Sequence, residues 1–368
     1  MRHLLQIILL KPVTWLAEKF SSKPDKEKIF AALSKLKKTI IEDPGKRGIV
    51  IPFEINNGKF IIFSDQHRGA KDGADDFAIC ESQYLAALEF YDENNFHFIS
   101  LGDSEELWEN SLSKVKKQNT LSFDKEKRFV EKKRFTKIFG NHDLFWDNDP
   151  LAWWQLKKIY GQEVKIYEGV ILQFTVLNTQ PCLPAGRFSI FLTHGHQGDA
   201  SSDGNWFSKF FVARIWAPLQ AYLKINPNTP AYDSVLKTRH NQMMYEWSSQ
   251  EKNLLLITGH THQPVFESLT HLERLYKKLL EARNRKEVAV VKEIEMEIFK
   301  RKHPYVDISS DYLQMKSTYF NSGCCCFNDG DITGIEIADG KIRLIKWNNL
   351  TGREVLGEAT LGILQEQI

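Results

Sequence analysis

The sequence predicts an α/β fold, and three observations carry that reading. Short apolar runs with strand character alternate with helical stretches along most of the chain. The stretch EDPGKRG, residues 42–48, punctuates the sequence sharply just before that alternation begins. Five of the apolar runs also end alike, with Asp, Asn or His within a few residues of the last apolar side chain. Apolar strands separated by helices are the mark of a sheet covered on both faces.

Composition allows one large domain with insertions. A chain of 368 residues with 42% hydrophobic content can bury a substantial core. Forty-nine Lys and Arg against 47 Asp and Glu leave a formal charge of +2, which argues against nucleic acid as the main partner. The five cysteines are odd in number, three are consecutive in NSGCCCFN, and no CxxC spacing occurs. That pattern fits reduced, buried residues in a cytoplasmic protein better than a disulfide framework or a thiolate metal site.

The elements follow in order. Residues 4–10 form a short apolar run, interrupted by Gln6 and stopped by Lys11 and Pro12. It is too short to span a bilayer, and reads as a helix packed on the domain, with a surface-lying membrane helix as the alternative. Residues 28–41 give a second amphipathic pattern, so 1–48 is expected as a helical N-terminal extension. After it come KFIIFS, a helix over 77–93, FHFISL, a charged helical stretch, TKIF, a helix around 151–160, and VILQFTVL. NTQPCLPAGR then reads as a loop before FSIFLT, and LLLIT is a further buried strand. Residues 351–368 are expected as a C-terminal tail.

What stands after each strand is the informative part. FIIFS is followed by Asp65 and His67, FISL by Asp103, KIF by Asn141, His142 and Asp143, SIFLT by His194 and His196, and LLLIT by His260 and His262. Side chains two apart on an extended chain share a face, so His260 and His262 can address one point in space. Hard or borderline metal ligands gathered at one sheet edge stand where open α/β sheets build their sites. Each residue alone has a plainer use as a helix cap, an Asx turn or a solvated loop residue. The joint pattern is what points to metal.

These blocks, SDQH, GDSEE, GNHD, THGH and GHTH, resemble the five motifs of the calcineurin-like metallophosphoesterases, over roughly residues 49–347. The segments TYFNSGCCC and DITGIEIADGKIRLIKW resemble the closing strands of that fold. The resemblance implies a four-layer α/β/β/α sandwich and a catalytic domain over 49–350. It also implies two divalent metal ions, Mn, Fe or Zn, with Asp65, His67 and His262 on one, Asn141, His194 and His260 on the other, and Asp103 bridging. Such a pair supplies hydroxide from water near neutral pH and polarises the phosphoryl oxygens. His142 is then implied as proton donor to the leaving group, steadied by Glu106 in preference to Glu105. Arg68, His196 and Asn141 are candidate contacts to the substrate phosphate.

Two insertions remain. Residues 200–250 hold a cap in which Trp206, Phe207, Phe210, Phe211, Ile215, Leu219 and Tyr222 recur at helical spacing. Within the family, UDP-2,3-diacylglucosamine hydrolases carry a helical cap in the same interval, and GDSEELWE and HGHQGD are similar to their motifs. That suggests a phosphorylated small molecule or a lipid-linked nucleotide as substrate, with peripheral membrane contact. A phosphodiesterase acting on a cyclic nucleotide or nucleic acid, or a non-catalytic metal-binding scaffold, are the alternatives. The second insertion, 268–305, reads as a helix pair or one interrupted helix with a charged outer face.

Overall fold

The computed structural model describes residues 24–72, 75–108, 110–174, 188–198, 234–301 and 314–368. The apolar run at 4–10, the loop NTQPCLPAGR, the aromatic stripe from Trp206 to Tyr222 and residues 302–305 lie outside the described residues.

Two seven-stranded mixed sheets face each other. The first has the order β1 (Gly48–Phe53), β6 (Gly169–Phe174), β7 (Ser189–Thr193), β8 (Leu254–Thr258), β11 (Tyr319–Asn321), β9 (Val265–Phe266) and β10 (Leu269–Thr270). The second runs β14 (Gly352–Thr360), β13 (Lys341–Asn348), β12 (Ile332–Ala338), β2 (Phe60–Phe63), β3 (His97–Leu101), β4 (Phe135–Ile138) and β5 (Ile166–Tyr167).

Alternation along the strands builds the layers. On β2, Phe60 and Ile62 enter the core between the sheets, where they meet Val170, Leu172, Ile190, Leu192, Leu255 and Ile257. Ile61 and Phe63 point the other way, onto α2 (Glu81–Glu93) through Tyr84, Ala87, Leu88 and Tyr91. The outer face of the first sheet is covered by α1 (Lys26–Glu42) and α7 (Ser234–Ser248), with Ile29, Leu33, Leu36 and Ile40 of α1 packed beside Met243, Met244 and Trp247. Asp25 caps α1 by accepting from the backbone N–H groups of Glu27 and Lys28. Helix, sheet, sheet and helix give the four-layer sandwich.

On the side of the second sheet, α3 (Leu112–Gln118) and α4 (Thr120–Glu131) are followed by α5 (Phe145–Asn148) and α6 (Ala152–Tyr160). The second insertion resolves into a helix pair, α8 (His271–Asn284) and α9 (Val288–Arg301), zipped by Leu272, Leu275, Leu279, Ala282, Ile294 and Ile298. A capping box starts it: Thr270 Oγ1 accepts from Glu273 N, and Glu273 accepts from Thr270 N. The segment read as a tail carries β14, paired antiparallel with β13, and α10 (Leu361–Gln367), whose Leu361 and Leu364 enter the core between the sheets.

Candidate metal centre

The strands bearing the five motifs divide between the sheets. β2, β3 and β4 are mutually parallel in the second sheet, and β7 and β8 are parallel in the first. Their carboxyl ends meet at one end of the sandwich, stitched by backbone hydrogen bonds from Asp65 N to Gly102 O, His67 N to Asp103 O and Gly259 N to His194 O.

The backbone is strained where the side chains converge. Asp65, His67, Asp103, His260 and His262 all have positive φ, between 49° and 69°. For residues with a Cβ this conformation costs about 1–3 kcal/mol each and persists only where the surroundings enforce it. Two glycines permit the close approach. A Cβ at Gly140 would stand 2.2 Å from Asp103 Oδ1, and one at Gly259 would stand 2.4 Å from Asp65 Oδ2.

The convergence is tight. His67 Nε2 is 3.0 Å from His262 Nε2 and 3.8 Å from both Asp65 Oδ1 and Asp103 Oδ2, and His262 Nε2 is 3.3 Å from Asp65 Oδ1. Alongside, His194 Nε2 lies 3.1 Å from Asp103 Oδ2, off the line a hydrogen bond needs, while its Nδ1 donates to Leu101 O at 2.9 Å. Asp65, His67 and His262 form one group whose donor atoms lie within 4.8 Å of one another, and Asp103, His194 and His260 form another. Asp103 also belongs to a group with His67 and His142, which places its carboxylate between the two clusters.

These residues fit divalent metal. Asn141 Oδ1, His194 Nε2 and His260 Nε2 are buried and make no hydrogen bond. Buried polar atoms are rarely left so, and two of them, those of His194 and His260, are grouped with the Asp103 carboxylate in a donor set suited to a cation. The electrostatics agree. Burial alone would raise the Asp65 and Asp103 carboxyls, but the imidazoles beside them, His194 first in each case, hold both below the ordinary carboxylate range. Burial would lower His194, yet Asp103 and Asp65 raise it to about 9.

Beside the clusters, His142 Nδ1 lies 2.7 Å from Glu106 Oε2, and the same oxygen is 3.1 Å from His67 Nδ1. Burial would raise the Glu106 carboxyl, but His142 and then His67 lower it to about 2. One carboxylate thus orients two imidazoles. His142 N also donates to Asp103 Oδ1 at 2.7 Å, tying its backbone to the shared carboxylate. Asp143 holds the turn by accepting from Gly140 N at 2.6 Å and Ser104 N at 2.9 Å.

Arg68 is turned into the protein interior. Its guanidinium is fully buried, 2.5 Å from both Glu105 Oε1 and Glu126 Oε1, with its Nε on Ser104 O and its plane over the Phe123 ring. Lys137 and Trp146 complete the shell of Glu105, and Tyr84 and Tyr160 that of Glu126. Two cations, Arg68 and Lys137, and two anions, Glu105 and Glu126, balance there. His196 is buried with its ring centroid 5.4 Å from that of His194 and 6.0 Å from that of Phe139.

Two features escaped sequence reasoning. Trp108 stacks on His142 with centroids 4.1 Å apart and planes at 19°, although it stands two residues after Glu106 in GDSEELWE. A sixth strand end, that of β11, brings Cys324 and Cys326 against His262. The only signal for it was the adjacency of NSGCCC to a strand.

The sequence pattern of the family described as calcineurin-like phosphoesterase matches residues 58–264. Among solved structures, a conserved uncharacterized protein described as a predicted phosphoesterase from Streptococcus pneumoniae TIGR4 aligns at 12% identity, covering 81% of this chain and 97% of its own, with a TM-score of 0.29. Vacuolar Protein Sorting 29 from Cryptosporidium parvum aligns at 11% identity, covering 83% and 99%, with a TM-score of 0.31. No curated protein sequence matches the chain.

Proposed function

Since the chain belongs to the calcineurin-like phosphoesterase family, whose members are metal-dependent phosphoesterases, we propose that it hydrolyses a phosphoester or pyrophosphate bond at a centre of two divalent metal ions. Asp65, His67 and His262 would hold one ion and Asn141, His194 and His260 the other, with Asp103 shared. The observation that supports this most is the pair of buried imidazole nitrogens, His194 Nε2 and His260 Nε2, that make no hydrogen bond and are grouped with Asp103. Bound there, the ions would supply Lewis acidity toward phosphoryl oxygens and make water acidic enough to act as nucleophile near neutral pH.

The chain's own residues would do the rest. Glu106 holds His142 through Nδ1, which leaves Nε2 to give a proton to the departing oxygen. Asp103 fixes the His142 backbone, so proton donor and metal cradle move as one unit. Asn141 and His196, at the ends of β4 and β7, would meet the phosphate oxygens.

We extend the proposal to a phosphorylated small molecule, with a lipid-linked nucleotide pyrophosphate as the specific candidate. Its support is the aromatic stripe of residues 206–222, which the sequence places between His194 and His260. Manganese, iron and zinc all suit the donor set. Cysteine usage supports a cytoplasmic setting, and no helix among the described residues is long and apolar enough to cross a membrane.

The test is elemental analysis after reconstitution, followed by assay against phosphomonoesters, phosphodiesters and nucleotide-sugar pyrophosphates. Two metals per chain and metal-dependent release of phosphate or nucleotide are expected. A protein that is active while metal-free would overturn the reading. Phe210→Asp should raise KM for an acylated substrate while sparing a small soluble ester; uniform loss at equal thermal stability would remove the lipid-linked candidate.

A further inference from the structure

We propose that the Cys326 thiol, with Cys324 beside it, is the outer partner that orients His262 toward metal. The proposal rests on His262 being a ligand, as above. Its own ground is the geometry of the loop after β11. His262 turns Nε2 toward Asp65 and His67, while Nδ1 lies 3.6 Å from Cys326 Sγ, within hydrogen-bond range for sulfur. His262 Nδ1 and the two sulfurs form a group within 4.8 Å of one another, and Cys324 and Cys326 are both free and buried.

The loop is held in place for this. β11 runs parallel to β8, so both carboxyl ends reach the same edge. Cys325 N donates to Asp65 O at 3.2 Å, Ser64 Oγ donates to Gly323 O, and Thr333 N donates to Cys324 O. Cys325 faces the opposite way, into the apolar layer with Phe77 and Tyr84. Successive side chains thus alternate, and the two on the metal side are the two that meet His262.

A metal-ligating imidazole has to present one nitrogen as a lone pair, and a partner on the other nitrogen sets that tautomer. Carboxylates and carbonyls usually fill this role. Here Glu106 does so for His67 and Leu101 O for His194, and the sulfur of Cys326 does so for His262. Sulfur accepts the Nδ1–H weakly and fixes the ring. Cys326 is therefore a positioning residue, and it acts through His262.

The experiment is cobalt(II) titration of metal-free protein, followed by visible absorption and calorimetry. Wild type is compared with Cys326→Ala, Cys326→Val, Cys326→Ser and His262→Ala, with melting temperatures for each. The Ala and Val variants should weaken, by roughly 10–100-fold, the same cobalt site that His262→Ala abolishes. The Ser variant, which keeps an acceptor, should lie closer to wild type. Nitrogen NMR of the histidines in zinc-loaded wild type should show His262 protonated at Nδ1, a readout that needs no variant. Wild-type affinity in Cys326→Ala, or equal loss in the Ser and Val variants, would overturn the proposal. A thiolate-to-cobalt charge-transfer band in wild type would also overturn it, by making the sulfur a direct ligand. If His262→Ala leaves both cobalt sites intact, the ligand assignment beneath the proposal fails instead, and the proposal fails with it.

Discussion

Trp108 lies flat on His142, with ring centroids 4.1 Å apart and planes at 19°, and Glu106 holds the edge of the same imidazole at 2.7 Å. The indole covers one face of the imidazole and holds the ring in its plane. The carboxylate fixes its tautomer, and together they restrict its rotation.

The first prediction follows from that arrangement. His142→Ala should keep its metal while turnover falls by roughly 10²–10⁴-fold for substrates with a poor leaving group. An acidic leaving group needs little proton transfer and should suffer less. Trp108→Leu should show the same dependence on leaving group with a smaller loss, and unchanged metal content. Steady-state rates on a pair of aryl and alkyl phosphates, with elemental analysis, check both; equal loss on the two substrates would remove His142 as the donor.

The second concerns Arg68, which joins β2's loop to the loop after β3 and pairs with Glu105 and Glu126 inside the protein. Removing one partner of a buried, hydrogen-bonded ion pair costs about 3–5 kcal/mol, because the other charges are left without compensation. Arg68→Met should therefore lower stability by about that much while leaving the KM of the surviving folded enzyme unchanged. Urea unfolding and kinetics at low temperature separate the two effects. A large rise in KM at nearly normal stability would return Arg68 to the substrate.

The motif residues were legible because their chemistry is local: ligand types at strand ends are visible without knowing how strands pair. Strand pairing itself was less visible. β1 carries Pro52, which reads as a break, and is tolerated because β1 is an edge strand with Pro52 exposed. β14 has few apolar residues, since an edge strand with mostly half-exposed side chains needs little burial. Its turn was the available signal, an Asx turn in which Asn348 Oδ1 accepts from the backbone of Leu350 and Thr351. The buried ion pairs of Arg68 were hidden for a related reason: nothing local says that Glu126, on a helix rich in Lys and Arg, turns inward to receive it.

A third prediction tests the shared carboxylate. Asp103 Oδ2 lies 3.1 Å from His194 Nε2 and 3.8 Å from His67 Nε2, so it touches both clusters. Asp103→Asn removes its charge with little change of shape and should weaken both metal sites, whereas Asp65→Asn should chiefly weaken the one shared with His67 and His262. Stepwise calorimetric titration with manganese distinguishes these patterns. Loss of a single site in Asp103→Asn would show that the carboxylate does not bridge.

The last prediction is a pH dependence whose sign follows from the histidines. Burial lowers both His194 and His262. Against it, Asp103 and Asp65 carry His194 to about 9, and Cys324 and Asp65 carry His262 to about 9, from an ordinary value of 6.5. In the metal-free protein a raised histidine contributes stability fully below 6.5, and that contribution is lost as pH rises through about 9. A metal needs the neutral ring, so each proton must leave before a ligand bond can form. Metal affinity should therefore increase with pH across this window, while the melting temperature of the metal-free protein falls. His260, which burial, His240 and His194 hold well below the ordinary value, is already neutral there and adds nothing to the slope. The Asp65 and Asp103 carboxyls, held low, stay ionised throughout. Melting curves of metal-free and manganese-loaded protein at successive pH values should diverge as pH rises. Curves that stay parallel would show that these imidazoles do not exchange protons for metal.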